Sequence, residues 1–415
     1  MKAPTIGPFP LGVNNRKPDH DLTQTVGDRK VDLLRSAVNV DLDASGKPRR
    51  RAGFSLAIGG GVAHSAWGDD RAAFYVDDNT LFWLELQGDQ LVRKLVRGNL
   101  TPGAQVSYCE AGGIYFYTNG SVLGMAANGV ALDFTPEPAG EPELVAIDGT
   151  LPAGQYQFCF TYFGPAGESA ATWPVAITLT SQGGIELRHL PVAPEGLRLV
   201  AYMTGTDGEV FGRVDLQVQG TTATVRTLQV QEGRCKTLEL EPMPAGQIVR
   251  SHNARLLVTN GNVLHYSEPY HLGLHRPSKN FIPFPAPITV VEPCGSGVYV
   301  VADKTYWLQG EITQASLAVV LPYGAVPHSG GNDPVERETV FWLSERGLVF
   351  GGADGSVRNV QEAQLALAGG AAGATVYREK EGVAHVLTAV REPTQSQAAI
   401  GCFFDAEIIR KGTML

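Results

Sequence analysis

Apolar and polar positions alternate along most of this chain in short runs, each closed by a turn signal within roughly four to eight residues. RAAFYVDDNTLFWLEL predicts a hairpin around Asp78 and Asn79, and GGIYFYTNGSVLGMA another around Asn119-Gly120. Asn-Gly is a strong hairpin signal because both residues tolerate positive φ. The same phrase returns after Gln247. NARLLVTNGNVLHYSEP turns at Asn260-Gly261, and GVYVVADKTYWLQG near Asp303-Lys304. ETVFWLSERGLVFGGADGSVRNV turns at Arg346-Gly347 and Asp354-Gly355, and ATVYREKEGVAHVLTAV at Glu381-Gly382. The incoming runs are aromatic and β-branched, as strands prefer.

Residues 137–243 have a different texture. TPEPAGEPE and EPMPAGQ bracket them like linkers, and between lies a strand alternating Tyr156, Phe158 and Phe160. A Gly-Pro turn, several more strand signals and a length of about 100 residues predict a fibronectin type III-like β-sandwich. Setting this insert aside leaves about 50 residues per repeat, the range of propeller blades. The expected fold is therefore all-β: a six-bladed β-propeller interrupted by the sandwich, with seven blades or an open arc as alternatives. The expected division is an extended arm at 1–34, propeller at 35–136, sandwich at 137–243, and propeller at 244–415. The final segment AAIGCFFDAEII is expected to pair beside the N-terminal hairpin and close the ring.

Composition narrows the function classes. Hydrophobic residues at 43% supply a sizeable core, and a net charge of −9 argues against a general nucleic-acid binder. Cys109, Cys159, Cys235, Cys294 and Cys402 are far apart with no CxxC pair, which predicts reduced thiols in strands. The start MKAPTIGPFPLGV is broken by prolines before any apolar run develops, so synthesis in a cytoplasm is expected. No stretch approaches the ~20 apolar residues of a spanning helix.

Around Arg35 to Phe54 the chain reads RSAVNVDLDASGKPRRRAGF. Val40 and Leu42 lie on a short strand, Asp43 to Gly46 have turn chemistry, and Pro48 leads into three arginines. Asn39, Asp41, Gly46, Arg51, Gly53 and Phe54 form a pattern that resembles the N-terminal region of the tail tubular protein B, or nozzle, family of short-tailed bacteriophages. The resemblance implies a virion protein of the tail. Six copies would ring the DNA-ejection channel beneath the head-tail adaptor and portal, and carry tail fibres or tail-tip proteins. DNA would pass without specific binding, repelled by acidic groups. The Arg49, Arg50 and Arg51 cluster is a solvated edge or a subunit contact.

Little else carries chemistry. His265, His271 and His275 cluster near Glu268, but their spacing fits no metal motif, and His271 and His275 stand as candidate interface residues. Asp69-Asp70, Asp77-Asp78 and Asp333 fall at turns, and no sialidase-type acid box or nucleophile elbow occurs. The chain is read as a non-enzyme without cofactor. Trp67, Trp83, Trp307 and Trp342 sustain an alternative, a propeller that binds or cleaves polysaccharide.

Overall fold

The computed structural model describes residues 7–391, apart from 44, 52, 54, 55, 57, 89, 229, 335–337, 368, 381 and 382, together with the strand Cys402–Ile408. Among the described residues, six antiparallel sheets, blades 1 to 6, follow one another in chain order to make a β-propeller. Blades 1 and 2 run from Ala63–Gly68 to Gln90–Arg97 and from Ser107–Ala111 to Val130–Leu132. Blade 3 begins at Ile248–His252 and ends at Phe281–Pro283, and blade 4 spans Val290–Cys294 to Ser316–Leu321. Blade 5 comprises four strands from Gly331–Asn332 to Val357–Asn359. Blade 6 comprises Ala372–Lys380, Val383–Arg391 and Cys402–Ile408.

The apolar runs are strands buried on both faces, which is why they read as continuous rather than alternating. Consecutive residues point into opposite seams. In blade 4, Val298 and Val300 pack towards blade 3 with Leu257, Leu264 and Tyr306, while Tyr299 packs towards blade 5 with Trp307, Trp342 and Val349. The seam between blades 1 and 2 is aromatic, with Phe74, Trp83, Tyr108 and Tyr115. Cys109, Phe116, Met125, Val249 and Val258 fill the next seam, and Phe341, Leu343, Val386 and Val390 that between blades 5 and 6.

Among the described residues, no such apolar cluster joins blade 6 to blade 1. Gln105 Nε2 at the start of blade 2 donates to Gly373 O of blade 6 at 3.1 Å, a bond between blades 2 and 6. The strand Cys402–Ile408 extends blade 6 by pairing with Val383–Arg391, and the N-terminal hairpin pairs with itself. The pairing anticipated between the C-terminal segment and the N-terminal hairpin is therefore not found among the described residues.

The insert between blades 2 and 3 is a two-sheet sandwich. One sheet holds Glu143–Leu151, Gly183–Arg188 and Ala223–Val225, and the other is centred on Gly154–Gly164. Tyr156, Phe158 and Phe160 point inward against Leu151, Ile185, Leu187 and Met203. Cys159 faces the opposite side with Tyr202, Phe211 and Cys235. Cys235 follows a strand rather than lying in one, unlike Cys109, Cys159 and Cys294. The sandwich rests on the propeller through Ala170, Leu240 and Leu274, and through Glu241–Pro242 paired with Leu274–His275.

The arm is more structured than an extended segment. Strands β1 (Thr23–Val26) and β2 (Arg29–Asp32) form a hairpin over Gly27, at φ 60, and Asp28. Asn15 fixes the arm to blade 5's exit loop, exchanging side-chain bonds of 2.9 and 2.8 Å with Ala366. Its backbone N–H also donates to Gln364 O at 3.0 Å.

Trp342 is wholly buried and contacts Tyr299 at a ring-centroid distance of 5.3 Å. Trp342→Ala should cost about 3–5 kcal/mol, read as a lower urea midpoint with an unchanged slope.

Candidate functional site: the axial bore and the N-terminal hairpin

The first strand of each blade faces the propeller axis, because its outer neighbours hold the rest of the sheet away from it. Together these strands enclose a cavity of about 520 Å³ lined by Trp67, Ser107, Arg250, Glu292, His328 and Thr375 among others. Strand β3 (Val40–Leu42) and strand β4 (Pro48–Arg50) form the hairpin whose Asp41 and following Arg51 and Gly53 line the same cavity. The hairpin thus sits at the bore rather than on the outer rim.

Its pattern residues each have a structural task. Asn39 adopts φ 57 and its carbonyl accepts the Arg51 N–H at 3.1 Å. Arg51 Nε donates to Asp41 Oδ1 at 2.8 Å, tying the two strands through their side chains. Asp43 Oδ1 accepts from Ser45 Oγ, Ser45 N and Lys47 N at 2.6, 2.9 and 3.0 Å. The Ser45 hydroxyl first, and then the Lys47 N–H, hold the Asp43 carboxyl at about 2. Gly46, at φ 76, lies under the arm, and a Cβ there would stand 2.4 Å from Pro10 N, so only glycine fits. Phe54 lies outside the described residues.

Of the three arginines, only Arg51 is turned inward. Arg49 is 70% exposed and pairs with Asp43 at 3.2 Å, and Arg50 is exposed. The histidines divide similarly. His271 is half-buried in a turn, whereas His275 is 6% exposed and offers a neighbouring subunit almost no surface. His275 meets His265 ring edge to ring face at 5.7 Å, and neither Nδ1 has a hydrogen-bond partner. Burial, and then His265, push His275 down to about 4, so the pair is neutral at the sandwich junction.

The dominant interaction of the bore was not visible as a motif. Glu292, with a side chain only 3% exposed, accepts from Arg250 Nη2 at 2.6 Å. Arg250 Nη1 donates to Ser107 Oγ at 3.0 Å and to Val249 O at 2.8 Å. Ser107 Oγ in turn accepts the Val249 N–H at 3.1 Å. Blades 2, 3 and 4 are thereby latched at the axis by three residues far apart in sequence. His328 lines the bore as a neutral ring, pushed down to about 4 by burial and by Arg250. The only sequence signal for the latch is a charged residue inside an otherwise apolar first strand: IVRSH in blade 3 and VVEPC in blade 4.

Chemically the bore is a polar network centred on Arg250, with the Tyr108 hydroxyl buried and unpartnered beside it. Among the described residues, no group of three His, Cys, Asp or Glu is placed to hold a metal. No described helix is long and apolar enough to cross a membrane. Of the tryptophans considered for sugar binding, Trp83, Trp307 and Trp342 are buried in the seams at 8, 4 and 0% exposure, and Trp67 stacks on Tyr108.

No protein-family profile matches the chain. Nor does any curated protein. Similar solved structures include the Pan2 WD40 domain of Neurospora crassa, at 9% identity and TM-score 0.33, covering 79% of this chain and 86% of that one. Another is YCF48 bound to D1 peptide, at 10% identity and TM-score 0.30, covering 80% and 93%. A third is apo AztD from Citrobacter koseri, at 11% identity and TM-score 0.27, covering 74% and 86%. At these values the likenesses carry no argument about function, and the propeller assignment stands on the strand pairing itself.

Two predictions follow from the polar groups. Removing one partner of a buried ion pair strands the other charge, so Glu292→Ala should cost about 3–5 kcal/mol; Glu292→Leu with Arg250→Met should recover most of it in chemical denaturation. A histidine with a depressed folded pKa binds its proton less readily than the unfolded chain, so its stabilisation is full above 6.5 and falls as pH drops towards about 4. His275→Leu should flatten the thermal stability profile over that window relative to the parent chain.

Proposed function

We propose that this chain is a structural subunit of a bacteriophage tail, one of six in a nozzle or tail-hub ring that extends the DNA-ejection channel below portal and adaptor. The observation that carries this reading is the N-terminal hairpin. Asn39, Asp41, Gly46 and Arg51, four residues of the resemblance to the tail tubular protein B family, are not scattered matches. They form one interlocked hairpin, with Asp41 paired to Arg51 and Gly46 pinned beneath the arm. That hairpin lies against the axis of a six-bladed body.

The propeller's own bore is not the DNA path. Its cavity is only about 520 Å³, whereas a duplex has a major groove ~12 Å wide and a minor groove ~6 Å wide to pass. The channel would run between subunits, on the axis of the assembly. A chain with net charge −9 suits that task, since acidic walls repel phosphate where a basic lumen would trap it. The sandwich, attached by one junction beside blade 3, is then free to meet fibres or other tail proteins. The polysaccharide alternative keeps only Trp67, which lines the cavity, because Trp83, Trp307 and Trp342 are committed to blade packing.

Quantitative mass spectrometry of gradient-purified phage particles from a culture encoding this chain tests the reading. The expected result is co-purification at about half the portal copy number, as for a six-fold ring under a twelve-fold connector. Absence from particles would overturn it.

A further inference from the structure

Each blade ends in an outer strand whose free edge could pair with another chain, and the propeller guards these edges unequally. Blade 1's outer strand, Gln90–Arg97, carries Arg93, Lys94 and Arg97. The outer strands of blades 2, 3 and 5 are three residues each, that of blade 3 ending in Pro283 and that of blade 5 containing Arg358. Cys402–Ile408, the outermost described strand of blade 6, includes Asp405 and Glu407. Blade 4 is the exception. Its outer strand, Ser316–Leu321, is six residues long, contains no charge and no proline, and exposes Leu317 and Val319 at 51 and 55%. Among the described residues it pairs with Thr305–Gln309 on its inner side and with nothing on its outer side.

The same chain contains a second strand with a free edge, β1. The hairpin of β1 and β2 is a separate two-stranded sheet, exposed along nearly its whole length. An isolated two-stranded hairpin is marginal in water and needs a third strand or a packing surface. Its charges lie on β2, at Arg29, Lys30 and Asp32, while β1, TQTV, is uncharged and exposes Val26 at 49%. An uncharged free strand and an uncharged free edge complement each other. In one copy the outer edges of both are unpaired among the described residues, the arm being fixed on the exit loop of blade 5.

We propose that β1 of one copy adds to the outer strand Ser316–Leu321 of blade 4 in the next copy, by main-chain strand addition. The contact joins two different surfaces, so it is head-to-tail and propagates, closing into a ring where the rotation per subunit allows. This inference rests on the reading of the chain as a ring-forming subunit and names the contact that forms the ring.

Two variants of the full chain, Thr25→Cys and Ala318→Cys, would be mixed and treated with a short bismaleimide, with the parent chain as control for its own thiols. Both positions are exposed. The expected result is a covalent dimer in the mixture that neither variant gives alone. A chain bearing both substitutions should give a ladder ending at six copies. In parallel, Val319→Lys should raise the concentration for half-assembly by about tenfold or more in light scattering, with an unchanged circular dichroism spectrum. A ring that assembles without the mixed cross-link, and is indifferent to Val319→Lys, overturns the strand addition while leaving the ring reading intact. The mixed cross-link with a ladder running past six supports the strand addition and overturns the hexamer. A chain that stays monomeric and uncross-linked at all concentrations overturns both.

Discussion

A propeller blade has two apolar faces and can bury neither alone. This constraint orders the whole structure. Tyr299 and Val300 are neighbours in sequence yet belong to different seams, and both are completely buried. Removing one blade would expose a face on each of its neighbours, so the described seams hold as a series. The seam between blades 6 and 1 is different in kind. Among the described residues it has no cluster of aromatic and branched residues of the kind that fills the seam between blades 1 and 2 or between blades 5 and 6. The exposed Val62 and Val376, at 68 and 56%, stand on the two blades that flank it. The hairpin residues Asp41 and Arg51 line the same cavity as Trp67 of blade 1 and Thr375 and Val376 of blade 6.

At the axis the chemistry inverts. The first strands converge on a cavity lined by polar backbone and side-chain groups, and an apolar lining would leave those groups without partners. Arg250 resolves this with one planar group whose donors reach a carboxylate, a hydroxyl and a carbonyl at once. Such a pair is weak evidence for net stability, because desolvation offsets much of its attraction. Its effect is geometric: Ser107, Arg250 and Glu292 satisfy one another only when blades 2, 3 and 4 stand in a single relative orientation.

How much of this was legible in sequence follows from the range of each interaction. The turns at Asp78-Asn79, Asn260-Gly261 and Arg346-Gly347 are set by local φ requirements, and strands meet at or within a residue of each. The Glu381-Gly382 turn lies outside the described residues. The sandwich strand was readable because Tyr156, Phe158 and Phe160 alternate on one face. Contacts between blades were not readable. Arg250 and Glu292 are 42 residues apart, and nothing local distinguishes them from surface charges. The tryptophans misled for the same reason, since an aromatic in a strand looks alike whether its face meets solvent or the next blade. The β1–β2 hairpin was missed because VGDR is a weak turn phrase and its flanking strands lack an apolar face.

That last omission bears on assembly. A strand with no apolar face gains little from its own chain, so folding alone does not account for an ordered hairpin at residues 23–32. Its backbone N–H and C=O groups on the outer side of β1 are left to water, and so are those of Ser316–Leu321. For the hairpin this costs little, since water satisfies polar groups well. For the blade 4 edge it also exposes Leu317 and Val319, which water does not accommodate. The other outer edges carry charge, proline or brevity at the same place in the blade, so the fold has no intrinsic need for an apolar edge there. An uncharged edge retained in one blade among six is better explained by a strand that covers it than by the packing of the blade itself.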